Sequence, residues 1–159
     1  MITDEIAEFL ESGLSVAVAT RDPRLAPACM RAMGVRVHED RRHIDLFLPV
    51  VTAERTRRDL ERVGEVAASF SRPATHQTLQ LKGTVVALRE AGEADRAVVE
   101  RYRLAMIESF EAAGVPARRT ARIAYWPCLV LELGVREIFH QTPGPGAGAR
   151  LEPGAGERP

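Results

Sequence analysis

A chain of 159 residues, 45% apolar and 28% charged, has the length of one domain and can bury a core without disulfides or metal. Its 22 basic and 22 acidic residues cancel, which argues against partners held by bulk charge, so neither nucleic acid nor a membrane surface is expected. No apolar run is long enough for a bilayer-spanning helix, and the opening MITDEIAEFL is acidic where a signal peptide is basic, so a cytoplasmic location is expected.

Thr3 is placed to cap a short helix, with Asp4 and Glu5 in its first turn, Ile6, Phe9 and Leu10 on one face and Gly13 ending it. Residues 14–20 alternate Leu14, Val16 and Val18 with Ser15, Ala17 and Ala19, a strand whose second face is unusually small. After a turn at Arg21-Asp22-Pro23, a second strand runs to about His38, and Gly34 allows it a bend or bulge. Residues 39–42 form a polar hairpin and 43–50 return as a third strand. Thr52 opens a helix whose narrow stripe of Ala53, Leu60 and Val63 leaves Arg55, Arg57, Arg58 and Arg62 mostly outside it. A strand over 65–70, a corner at 71–74 and a long strand over 75–88 follow. The strongest helical pattern spans 93–114, with Val99, Tyr102, Met106, Phe110 and Ala113 at helical spacing and Gly114 and Pro116 as stop signals. A last strand over roughly 120–133 leads through Arg136 to His140.

Residues 142–159 are Pro/Gly-rich and aperiodic, a tail apart from a domain over 1–141, and any order in the tail is expected from packing across a subunit interface. Six strands with helices inserted predict a mainly β protein, an antiparallel barrel with flanking helices. A doubly wound α/β sheet would need helices between the first three strands, and none is patterned there.

The stretch FSRPATHQTLQLKG (70–83), continuing into GTVVALRE and later IFHQTPGPGAG, resembles the pyridoxamine 5'-phosphate oxidase-like family, and the order of elements agrees from about residue 5 to 141. The resemblance implies a six-stranded antiparallel split β-barrel, a homodimer, and FMN held in a groove between subunits. It also implies that Thr56-Arg57-Arg58 stand for the family's phosphate-gripping Ser-Arg-Lys triplet, that Arg31 is a further phosphate ligand, and that His140-Gln141 lie where the oxidase sets a Trp before Gln against the flavin.

From the residues themselves, a hydroxyl and two guanidinium groups suit a phosphate dianion, although a solvated helix face has the same composition. On the long strand Thr78, Gln80, Lys82 and Thr84 share one face. That polar face meets water, a partner or a ligand. Gln80 and Lys82 can bond the carbonyl and ring-nitrogen edge of an isoalloxazine, and a cation there stabilises the reduced anionic ring. The expected function is an FMN-dependent oxidoreductase acting on a small-molecule redox substrate. The cofactor carries the chemistry, so no catalytic side chain is assigned. An F420-dependent reductase and a non-catalytic module holding flavin or haem are the alternatives. His38, His43 and His76 show no ligand spacing with each other or with Cys29 and Cys128, which are expected as free thiols, and no metal site is expected.

Overall fold

Val16 and Val18 point into a barrel while Ser15, Ala17 and Ala19 point out of it, since successive side chains of a strand alternate between faces. The computed structural model describes residues 2–151. In chain order the elements are α1 (Asp4–Leu10), β1 (Ser15–Arg21), β2 (Pro27–Ala32), β3 (Val35–Val37), β4 (His43–Pro49), a 3-10 turn (Val50–Thr52), α2 (Glu54–Arg62), β5 (Glu65–Ser71), β6 (Thr78–Glu90), α3 (Glu93–Ala112), α4 (Ala117–Thr120) and β7 (Cys128–His140). The strands form one antiparallel sheet in the order β2-β1-β5-β6-β7-β4-β3.

Seven strands appear where six were expected, because the second strand divides at the bend anticipated at Gly34. There it leaves β1 and takes up β4: Met33 N donates to Phe47 O at 2.8 Å, and Phe47 N donates to Gly34 O at 3.0 Å. These bonds join β2 to β4 and bring the two edges of the sheet together. A Cβ at Gly34 would lie 3.0 Å from the Phe47 ring, so the corner favours glycine.

Other boundaries differ, among them those of the long strand, which runs from Thr78 to Glu90 where 75–88 was expected. Residues 120–127 are not strand, although Ala121, Ile123 and Tyr125 alternate there; α4 and a turn occupy the segment, with Arg103 of α3 donating to the Ala121 carbonyl at 2.8 Å. Thr52 belongs to the 3-10 turn, its hydroxyl donating to Pro49 O at 3.3 Å, and α2 begins two residues later.

The barrel interior holds Leu14, Val16, Val18, Ile44, Leu46, Leu48, Ala68, Phe70, Leu81, Leu131 and Leu133. α2 turns Leu60 toward this core, as does Ala53 just before it, and the Thr20 hydroxyl donates to buried Asp59 Oδ2 at 2.9 Å. α3 covers the opposite side of β4 and β7, where Phe47, Val99, Cys128 and Val130 form a smaller apolar layer. Tyr102 ties α3 to the barrel: its buried hydroxyl accepts from Leu14 N at 3.0 Å, and burial pushes its phenol well above the usual range.

Residues 142–151 of the tail pack back on the chain itself, and 152–159 lie outside the described residues. β4 stops pairing with β7 at Gly134, which leaves the rest of that edge open, and the chain folds back onto it. Gly148 N donates to His140 O at 2.7 Å, His140 N to Ala149 O at 2.8 Å, and Leu151 N to Ile138 O at 2.8 Å. Among the described residues no helix is long and apolar enough to cross a membrane.

Candidate functional site

Strand register lines up the outward side chains of five strands. One row runs Arg31, Ala17, Ser69, Gln80, Phe139, and the next runs Cys29, Ala19, Ala67, Lys82, Glu137. The middle of both rows consists of methyl and hydroxymethyl groups, so the sheet there is a nearly flat floor with longer polar side chains at its margins. A shallow depression of about 390 Å³ opens over it, lined by Ala19, Arg21, Ala67, Lys82, Arg136 and Glu137. Beside a register shift between Lys82 and Gly83 the backbones of β6 and β7 pass close to each other: a Cβ at Gly83 would stand 1.9 Å from the Gly134 carbonyl oxygen.

The polar face expected on the long strand is present. Lys82 is exposed, with its ammonium 4.6 Å from the centre of the Phe139 ring. Gln80 is half-buried and its Nε2 donates to Ser69 Oγ at 3.4 Å, a long bond easily exchanged. Arg31 shares their face at the far end of the row, donating to Ser15 Oγ at 2.7 Å beside the Phe110 ring. These three residues come together on one surface.

The other expected residues do not join them there. His140 stands opposite Leu79, and cross-strand partners point to the same side, so His140 faces away from Gln80; its Nδ1 lies under the tail turn at Gly146. Gln141 donates its backbone N–H to Thr78 O at 2.8 Å and so sits at the end of the polar face. Thr56 is buried against the barrel. Arg57 and Arg58 are exposed, with Arg57 3.4 Å from Glu61 and Arg58 3.5 Å from Glu54 along the same helix. Consecutive helical residues are rotated by about 100°, so this hydroxyl and these guanidiniums do not converge on one point. Arg57 instead lines a cavity of about 460 Å³ with Val50, Ala53, Glu90 and Pro127.

A second polar constellation, to which residue spacing did not point, lies on the outward side of β3, β4 and β7. Buried Asp45 accepts from Arg36 and meets His38 Nε2 at 2.9 Å. Asp95, buried in the first turn of α3, takes Arg89 at 2.6 Å, Arg36 at 3.2 Å and the Gly92 N–H at 3.0 Å. The Arg89 guanidinium, then Gly92 and Arg36, hold its carboxyl at about 2 in spite of burial. One signal was present: Asp95 lies on the same helical stripe as Val99, Tyr102 and Met106, where a carboxylate is stable only if paired.

No family model matches the chain, and no curated protein matches it. Solved structures do. HupZ of Group A Streptococcus is 21% identical, with 94% of this chain and 99% of that chain covered and a TM-score of 0.58. A Lactobacillus delbrueckii protein named as a candidate pyridoxamine 5'-phosphate oxidase is 16% identical, with 86% and 92% covered and a TM-score of 0.55. An FMN-binding protein of Syntrophomonas wolfei is 12% identical, with 85% of each chain covered and a TM-score of 0.52. The chain has the split-barrel fold of the pyridoxamine 5'-phosphate oxidase kind.

Proposed function

We propose that the chain binds FMN against the outward face of β1, β5 and β6 and serves as a flavin-dependent oxidoreductase for a small-molecule substrate. The observation that carries this reading is the flat floor of Ala17, Ala19, Ala67 and Ser69 beside Gln80 and Lys82. A planar ring laid on such a floor meets no projecting side chain. Its polar edge would face a carboxamide and an ammonium, the donors that a carbonyl and ring-nitrogen edge require. The likeness in fold to an FMN-binding protein supports the same reading.

When bound, the flavin would supply the electron and hydride chemistry. Lys82 would favour the reduced, anionic ring by charge, and Gln80 would orient it. The phosphate is assigned to Arg31, the cation in the same row as Gln80, and not to Arg57 and Arg58, which stand on α2 away from that face. Arg31 is exposed and donates to the Ser15 hydroxyl, a neutral partner that a dianion would replace at little cost. A second copy of the chain would cover the face and exclude water, which makes the homodimer part of the proposal.

The test is a fluorescence titration of the protein with FMN and with riboflavin, which lacks the phosphate. The Lys82→Ala, Gln80→Ala pair should weaken both ligands. Replacing Arg31 by alanine should weaken FMN by about 1.5–3 kcal/mol, a factor on the order of ten to a hundred, and riboflavin far less. Equal losses for both ligands would remove the phosphate from Arg31. A protein that ignores both flavins but takes F420 or haem would transfer the face to that cofactor.

A further inference from the structure

The hairpin between β3 and β4 closes with His38 N donating to His43 O at 2.9 Å, so the two imidazoles stand side by side at its base. β4 is registered on β7 with His43 opposite Gly134 and Asp45 opposite Glu132, which puts Glu132 on the same face, diagonal to His43. One nitrogen from each imidazole and one Glu132 carboxylate oxygen all lie within 4.8 Å of one another. Ligand atoms about 2.0–2.2 Å from a tetrahedral zinc ion are roughly 3.3 Å apart, so side-chain rotation of about 1.5 Å at most completes the set. Gly134 leaves room beside the ring: a Cβ there would be 3.7 Å from His43 Nε2.

Both rings are also held from behind. Asp40 Oδ2 lies 2.5 Å from His43 Nδ1, and Asp45 Oδ1 lies 2.9 Å from His38 Nε2. With Asp40 accepting a hydrogen bond from Nδ1, the Nε2 lone pair of His43 is turned outward. A carboxylate behind a ligating imidazole is the usual support of a metal site. In the open groove lined by Arg36, His38, Asp45, Arg89 and Glu132, Arg36 is salt-bridged to Asp45 and Asp95 and Arg89 to Asp95, and among the described residues no basic side chain salt-bridges Glu132.

We propose that His38, His43 and Glu132 form a binding site for a borderline-soft divalent cation of the zinc class, with Asp40 and Asp45 as orienting carboxylates. Two imidazoles and a carboxylate suit zinc, copper or nickel better than magnesium or calcium, which prefer oxygen throughout. The groove is open to solvent, so water or a small anion would complete the coordination. The ion would pin the hairpin to β7, and none of this rests on the flavin reading.

The experiment is competition of untagged full-length protein against a chromophoric chelator for Zn²⁺, with Co²⁺ absorption as a report of nitrogen-containing, tetrahedral coordination. One equivalent is expected to bind. His43→Ala and Glu132→Gln should each weaken it at least tenfold, Asp40→Asn should weaken it on the order of tenfold, and His76→Ala should leave it unchanged. The glutamine and asparagine variants keep side-chain volume, so their circular dichroism should match the parent and a loss of binding cannot be a loss of fold. Failure to compete with the chelator would overturn the proposal, as would binding that survives Glu132→Gln and Asp40→Asn or that disappears with His76→Ala.

Discussion

Asp95 concentrates much of the polar energy on the α3 side of the molecule. Its carboxyl titrates at about 2 in the folded chain because Arg89, Gly92 and Arg36 stabilise the charge, whereas an unfolded aspartate titrates near 3.9. A depressed pKa contributes stability that is present above the unfolded value and lost as pH falls through the folded value. Between pH about 4 and pH about 2 the protein should therefore lose stability, and Asp95 should account for part of that loss. Asp95→Asn should cost about 1.5–3 kcal/mol at neutral pH, the worth of its charge-assisted bonds, and should flatten the acid limb of the stability profile. Urea midpoints for parent and variant at pH 7 and pH 3 check this; parallel acid limbs would mean the carboxylate is not the group that titrates. At neutral pH Cys128 stays a thiol, since burial pushes it up to about 12.

Gly83 and Gly134 show how two elements are joined where their backbones leave no room for a side chain on one of them. A Cβ at Gly83 would meet a carbonyl oxygen of β7 at 1.9 Å, so the strand itself must move, while a Cβ at Gly134 would meet side chains alone, Val86 at 3.1 Å and the His43 ring at 3.6 Å. Gly83→Ala should destabilise by about 1–3 kcal/mol or more and Gly134→Ala by clearly less, as read from urea unfolding. Comparable losses at the two positions would place the strain elsewhere. Strands and helices were largely legible because burial alternates or recurs along them: Val16 and Val18 against Ala17 and Ala19, Val99, Tyr102 and Met106 along α3, and Gln80 and Lys82 against Leu79 and Leu81. What connects them was not. Periodicity carries no register, so nothing in the chain announced that Arg31 shares a row with Gln80, that His140 turns from it, or that His38 and His43 meet Glu132. The apolar alternation at Ala121, Ile123 and Tyr125 misled for the same reason, since half-burial beneath a helix gives the pattern of a strand.

At the scale of the whole molecule, the outward face of β2, β1, β5 and β6 is where the fold is least complete. Its inner side is a packed barrel, but outside it presents exposed Cys29, Ala17 and Lys82 and half-buried Ala19, Ala67 and Ser69, a flat surface with little charge at its centre. A twofold axis through such a face brings floor against floor without clashes between long side chains, and it places a flavin bound there between two subunits. Sedimentation at micromolar concentration should give a dimer. Cys29 supplies an internal reporter, because it lies in the same row as Ala19, Ala67 and Lys82 and should be shielded from a thiol reagent in the dimer. Dilution toward monomer should release one fast-reacting thiol per chain, while buried Cys128 stays slow at every concentration. Charging the floor should act in the same direction: Ala17→Glu in both subunits sets like charges across the axis and should give a folded monomer with a reactive Cys29 and weakened flavin binding. A monomer in the parent protein, with Cys29 equally reactive at all concentrations, would remove both the dimer and the shared groove.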